Sequence, residues 1–231
     1  MSSGNARDIK LYAGRIARNV LNFIFPLTCA VCGCAIPPDN TRRMCDKCRG
    51  EIEYLRSPVV PMPSWTDGVY ACCLYEGVIR ECIHLLKYKG SSCMAKPLGE
   101  ILAACLSGAA DIARTDFIVP VPLHRRSRLK RGFNQSELLA REMAKLCNMK
   151  VEKHNLVKIK NTRSQVNLSK EEREANVKGV FRVCNPVIFR GKNIILIDDV
   201  CTTGATMSEC ARVLKSCDAA GVRGIVIAHG R

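Results

Sequence analysis

No run of about eighteen consecutive apolar residues occurs in the 231-residue chain, which argues against a membrane-spanning helix. Internal repeats and low-complexity tracts are absent too, so repeat architectures are set aside. Acidic residues are scarce: 21 Asp and Glu face 36 Lys and Arg, a formal net charge of +15. That imbalance favours polyanionic partners such as phosphates or nucleic acid. Histidine is rarer still. His84, His124, His154 and His229 are widely separated and show no ligand spacing.

Cysteine, in contrast, is abundant and unevenly placed: 15 in all, five of them between Cys29 and Cys48. An odd count, with the remainder scattered through apolar segments, is unlike a secreted disulfide framework. The stretch "RIARNVLNFIFPLTCAVCGCA" has the outline of a signal peptide, but Asn22 and Pro26 interrupt it and its cleavage region would fall inside the cysteine cluster. The cytoplasm is the expected compartment.

Three segments follow. Residues 1–27 carry Ile9, Tyr12, Ile16, Val20 and Phe23 at helical spacing, an amphipathic helix ended by Pro26. Residues 28–58 hold the cysteine cluster, and "SPVVPMPSW" beyond it reads as a linker. Residues 59–231 alternate strands with helices, the pattern of an α/β domain with a mostly parallel sheet covered on both faces. Asn134 is the expected N-cap of a helix with apolar positions at Leu138, Leu139, Met143 and Leu146. Ser169 and Glu172 have the spacing of a capping box. A strand is expected over 193–198 and another over 222–229.

Cys29 and Cys32 form one CxxC, Cys45 and Cys48 a second, with twelve residues between the pairs. Each turn can present two thiolates to one ion, and two turns complete a tetrahedral zinc site. Four protein thiolates leave no open position, so the zinc is structural. Cys34 is spare in this pairing. Cys72 and Cys73, being adjacent, chelate poorly and read as core, as do the other scattered cysteines.

The segment "IILIDDVCTTGAT" at residues 194–206 carries the chemistry. Four aliphatics make a buried strand, which does not explain Asp198 and Asp199 side by side, since unpaired buried carboxylates are costly. At the carboxyl end of a parallel strand they would border the binding crevice. Thr202, Thr203, Gly204, Ala205 and Thr206 then lead into a helix, and backbone N–H groups at a helix start can seat a phosphate. The acids suit a neighbouring sugar's hydroxyls, or a Mg²⁺ ion that keeps much of its water. A ribose 5-phosphate fits both halves.

This stretch resembles the phosphoribosyl pyrophosphate (PRPP) signature of type I phosphoribosyltransferases. Together with "IVPVPLHRRSRLKRGFNQSELLA", "TRSQVNLSKEEREANVKGVF" and "IRECIHLLKYKG", it resembles the competence protein F (ComF) family over residues 20–231. The resemblance implies a type I phosphoribosyltransferase fold with an N-terminal zinc ribbon, and a place in bacterial DNA uptake. Val121 and Pro122 would sit at the pyrophosphate position, followed by Arg125, Arg126, Arg128, Lys130 and Arg131. Gly132, Asn134 and Gln135 would start a helix beside the cleft. Arg163 and Gln165 would belong to a mobile loop closing over PRPP. Where related proteins often carry a second cysteine pair, this chain has "PMPSW", which puts a second zinc site in doubt.

For an enzyme, the implied reaction displaces pyrophosphate from C1 of PRPP, with Mg²⁺ and the basic run stabilising the leaving group. The acceptor is not encoded legibly. Two alternatives stand beside it: a PRPP-sensing and single-stranded-DNA-binding module that contacts the uptake proteins, and a nucleobase-salvage transferase. Pyrophosphate release separates the first from an enzyme, and base-dependent turnover marks the second. Lys87, Tyr88 and Lys89 could touch phosphate or a DNA backbone, or form an ordinary basic turn.

Overall fold

The computed structural model describes residues 26–40, 42–55, 59–60, 65–88, 92–107, 114–162 and 169–230. The helix expected over 9–24 lies outside the described residues. Two compact units divide between Gly50 and Glu51.

In the first unit, an antiparallel bridge between Thr28 and Ala35 closes the turn of the first cysteine pair. Inside it the Cys29 amide donates to the Cys34 carbonyl at 2.7 Å, and the Gly33 amide to the Cys29 carbonyl at 2.9 Å. Gly33 adopts φ 76, a left-handed conformation that a side chain would resist. The short helix α1 (Asp46–Gly50) starts just after Cys45 and carries Cys48.

The second unit runs β1 (Val59–Val60), β2 (Val69–Leu74), α2 (Gly77–Tyr88), α3 (Ala95–Ser107), β3 (Phe117–Pro120), α4 (Arg125–Arg131) and α5 (Gln135–Cys147). It continues β4 (Leu156–Lys158), α6 (Lys170–Val177), β5 (Phe181–Val183), β6 (Asn193–Cys201), α7 (Ala205–Lys215) and β7 (Gly221–His229). The main sheet has the order β1-β2-β7-β6-β3. β2, β7, β6 and β3 pair in parallel, while β1 joins the edge antiparallel to β2. Hence the stretch read as linker contributes an edge strand. The prolines flanking those two valines in sequence suit a strand that is very short and lies at the sheet's edge. β4 and β5 form a separate antiparallel pair.

The fold class matches the expectation from strand–helix alternation. Because side chains alternate across a strand, Ile194 and Leu196 serve one core. They pack there with Val69, Val119, Val222, Phe181, Phe189 and the α7 residues Cys210, Ala211 and Leu214. Ile195 and Ile197, equally buried, face the other way. Ile83 and Leu86 of α2, Leu98 and Leu102 of α3, and Leu139 and Met143 of α5 are all buried as well. Helices α3 and α5 approach so closely that a Cβ added at Gly99 would lie 2.5 Å from the Cβ of Glu142.

Two helix details depart from the sequence reading. Leu146, assigned to the apolar face of α5, is 59% exposed. Ala140 and Ala144 are buried in its stead, because small residues are what fit beneath a closely packed helix. β6 runs on to Cys201 rather than ending at Asp198, so both acids lie within the strand's last turn of pairing. The N-cap at Asn134 and the reciprocal Ser169–Glu172 capping box are present as expected.

Candidate active site

Parallel pairing brings the carboxyl ends of β2, β7, β6 and β3 to one edge, and the acids of β6 open there. Asp198 and Asp199 point to opposite faces of the sheet. Asp198 lies on the α7 side and accepts a hydrogen bond from Ser136 Oγ at 2.8 Å. Its Oδ1 also accepts from the Asp199 backbone N–H at 2.9 Å. Asp199 is only 4% exposed, and it is neutralised by the Lys87 ammonium from α2, with Nζ 2.5 Å from Oδ2.

These surroundings split the two acids. Burial, reinforced by the neighbouring Asp199 carboxylate, pushes Asp198 up to about 7 despite the bonds from Ser136 and the backbone. Burial alone would depress Lys87, but the Asp199 and Asp198 charges outweigh it and hold the ammonium above its ordinary value. Near neutrality Lys87 therefore stays charged while Asp198 is poised to gain or release a proton.

Beyond Cys201 the chain turns through Thr202 and Thr203 to Gly204, whose φ of 76 is left-handed. Gly204 caps α7, and the first amide of the helix, Ala205, donates to Thr203 Oγ1 at 3.5 Å. Asp198, Val200, Thr202, Thr203, Gly204 and Thr206 border an open hollow of about 240 Å³, counting its solvent-facing mouth. Ala205 also borders it. The Arg173 guanidinium reaches this loop from α6, with Nη1 donating to Thr202 Oγ1 at 2.9 Å. On the far side, the Gly230 amide bonds to the Cys201 carbonyl at 2.9 Å.

β3 pairs with β6 as far as Pro120 opposite Ile197, so the next residue, Val121, lies alongside the acids. Its amide donates to the Ile197 carbonyl at 2.9 Å, and its own carbonyl accepts from Asn134 Nδ2 at 3.0 Å. Pro122 follows in the same loop. Asn134, Gln135 and Ser136 are buried at the start of α5, which ties this loop to Asp198 through one helix terminus. Gly132 is not in that helix start: with φ 87 it ends α4.

The basic run forms α4, a seven-residue helix with no buried residue. Arg128 pairs with Glu137 at 3.4 Å and Arg131 donates to Gln135. Arg125, Arg126 and Lys130 are exposed. Glu137 also collects Arg141 at 2.6 Å and Lys153 at 3.3 Å, a local concentration of cations around one buried acid. Arg163 and Gln165 lie outside the described residues.

Sequence reasoning missed Ser136, which looks like any small residue in a helix's first turn. It also left Lys87 between two readings, because only the β2–α2 crossover reveals the carboxylate it meets. Arg173 carried no signal of its own in a run of charged helix residues.

The chain is similar to known proteins. A phosphoribosyl transferase domain model matches residues 129–231. The DNA utilization protein YhgH of Escherichia coli is 30% identical over 202 residues, covering 84% of this chain and 87% of that one. The chain belongs to the competence protein F family. Competence protein F of Haemophilus influenzae is 25% identical over 74% of this chain and 78% of its own length. Competence protein ComFC of Bacillus subtilis is 25% identical over 83% of this chain and 90% of its own. The parallel sheet flanked by helices, joined to the domain match, gives this ComF-family chain the type I phosphoribosyltransferase fold. No helix among the described residues is long and apolar enough to cross a membrane.

The thiol cluster of the first unit can hold a metal ion. Tetrahedral zinc with bonds of about 2.3 Å separates its sulfurs by roughly 3.8 Å. Cys29 Sγ lies 3.9 Å from Cys48 Sγ, and Cys32 Sγ lies 3.7 Å from Cys45 Sγ. These gaps are far wider than a disulfide's bond of about 2.05 Å. The Cys45 amide donates to Cys29 Sγ and the Cys48 amide to Cys45 Sγ, each at 3.4 Å, which favours thiolates. One finding departs from the paired spacing. Cys34, read as spare, shares a group with Cys29, Cys32 and Cys45 in which every sulfur lies within 4.8 Å of the others. A hydrogen bond to Cys32 pushes its thiol up to about 12, while the Cys34 amide and thiol lower Cys32 to about 6. Cys48 is not part of that group of four, although its sulfur lies beside Cys29.

Proposed function

We propose that this ComF-family protein binds PRPP and transfers its phosphoribosyl group in a Mg²⁺-dependent reaction, and that it serves DNA uptake from the cytoplasm. One observation carries the reading: of two adjacent acids at the carboxyl edge of a parallel sheet, Asp198 borders a hollow made of Thr202 to Thr206 and the start of α7. Asp198 and Asp199 would hold the ribose hydroxyls while the loop amides and hydroxyls take the 5′-phosphate, so that binding far from C1 positions C1. The Val121–Pro122 loop, alongside the acids, suits the pyrophosphate, with the α4 cations next to it in sequence. Bound with PRPP, Mg²⁺ supplies charge neutralisation for the departing pyrophosphate. The protein's own part is orientation, together with dipoles aimed at charge as it develops. The thiol cluster is read as a structural zinc site.

The decisive measurement is pyrophosphate release from PRPP with Mg²⁺ across a panel of acceptors, run beside a calorimetric PRPP titration. Turnover with some acceptor supports the transferase. A second reading, a PRPP- and single-stranded-DNA-binding module without transfer, has its own support. Among the residues bordering the hollow, Asp198 carries the one carboxylate, and Asp199 is already engaged by Lys87. Saturable PRPP binding with no pyrophosphate released in any condition would favour that module. Loss of both signals sinks the PRPP assignment itself.

A further inference from the structure

Arg173 is the one cation whose hydrogen bond to the hollow's border is seen among the described residues. Its Nη1 donates to Thr202 Oγ1 at 2.9 Å, and its Nε is buried with no hydrogen-bond partner. A buried guanidinium N–H without a partner is unfavourable, so a fold that keeps one beside a hollow calls for an explanation.

The placement is firmly built. At its start α6 is locked by the Ser169–Glu172 capping box, with the Glu172 amide on Ser169 Oγ at 3.2 Å and the Ser169 amide on Glu172 Oε2 at 2.7 Å. Just past its end, the Gly179 amide donates to Glu209 Oε1 of α7 at 2.8 Å, and Arg212 clamps the same carboxylate. Val177 is buried in the core that α7 also fills. The helix bearing Arg173 and the helix whose start forms the hollow are therefore held to each other.

A hydroxyl offers one donor and two acceptor lone pairs. The Arg173 N–H takes one of the two acceptor positions on Thr202, which favours turning the hydroxyl proton toward the hollow. The bordering residues carry one ionisable carboxylate, Asp198, and no cation. A phosphate monoester near neutral pH bears between one and two negative charges, since its second proton titrates near pH 6. The bordering amides and hydroxyls can supply donors, but no bordering side chain supplies a positive charge.

We propose that Arg173 is a positioning residue for a terminal phosphate monoester: it sets Thr202 as a hydrogen-bond donor facing the hollow and places a guanidinium charge behind it. This rests on the hollow's being a sugar-phosphate seat. The shared chemistry is a pentose 5′-phosphate, and its source could be PRPP or a nucleoside 5′-monophosphate.

The test is calorimetric titration of the full chain with Mg²⁺–PRPP, ribose 5-phosphate, AMP and unphosphorylated ribose. Comparing PRPP with AMP on the unaltered protein identifies the source. Arg173→Met should weaken ribose 5-phosphate binding about tenfold or more, the usual reach of one charge-assisted hydrogen bond, and should lower the preference for ribose 5-phosphate over ribose. Arg173→Lys should recover part of the loss. Thr202→Val should weaken binding similarly, and the double variant should be no worse than the poorer single one, because both remove one interaction. The Arg173→Met effect should also shrink at pH 5, where the phosphate carries less charge. A merely structural arginine would lower the melting temperature without this pH dependence and without coupling to Thr202. If Arg173→Met does not fold, the Lys and Val variants decide alone. Unchanged affinity in Arg173→Met, or strictly additive losses, overturns this inference while the PRPP reading stands. Failure of the unaltered protein to bind any of the phosphorylated probes overturns both.

Discussion

Replacing Asp198 by Asn should make the folded protein more stable at pH 8 while abolishing the proposed Mg²⁺-dependent PRPP binding. Asp198 is raised from its ordinary value of 3.8 to about 7 in the folded state. A carboxyl raised on folding contributes its stability fully below the unfolded value and loses it as pH climbs through the folded value. Between about pH 4 and pH 7 the unaltered protein therefore pays to keep Asp198 buried. About three pH units at about 1.4 kcal/mol each set an upper bound of roughly 4 kcal/mol. Asp198 keeps part of its surface open beside the hollow, so roughly 2–4 kcal/mol is the reasonable range. Asn keeps an oxygen for Ser136 Oγ–H and the Asp199 amide and carries no charge past pH 4. Urea denaturation of D198N and the parent at pH 5 and pH 8 reads the difference. The gap should be little more than a third of its full size at pH 5 and reach that size at pH 8, equivalent to roughly 5–15 °C in melting temperature for a chain of this length. Equal stability at pH 8, or a gap that does not depend on pH, would show that burial and Asp199 do not load this carboxyl, and the poised acid would have to be abandoned.

Lys87→Met removes the counter-charge of a nearly buried acid, so it should cost about 3 kcal/mol or more at neutral pH. Denaturation midpoints of the variant and the parent check this, and an unchanged midpoint would show that the ion pair does not support the fold. Converting both Asp198 and Asp199 to Asn should eliminate Mg²⁺-dependent PRPP binding with far-ultraviolet circular dichroism unchanged; an unaltered titration refutes the ribose assignment. Cys29→Ser takes away a sulfur that meets both Cys48 and the Cys45 amide, and should lower bound zinc well below one per chain by elemental analysis. Full metal content in that variant would mean that the remaining four thiols, Cys34 among them, suffice.

The frame of this protein was open to reading because its signals are local. Ile194 to Ile197, the Asn134 cap and the Ser169–Glu172 box each follow from a few adjacent residues, and the parallel sheet follows from their alternation. The site was legible only where its chemistry is also local, in the two acids and the threonine-rich turn after them. What stayed hidden depends on crossovers. Ser136 meets Asp198 across 62 residues of chain, and Lys87 meets Asp199 from a helix that follows another strand. Neither partner has a composition cue, because one lysine or serine on a helix resembles any other until the sheet order is known. The thiol cluster shows the reverse case: spacing chose two neat pairs, whereas the bridge between Thr28 and Ala35 folds Cys34 back among Cys29, Cys32 and Cys45. A sequence motif states which groups are available; the strand order decides which of them carry charge when a ligand arrives. Here it pairs one acid with a lysine and leaves the other near its titration point, so the two aspartates, identical in the sequence, enter any reaction as different reagents.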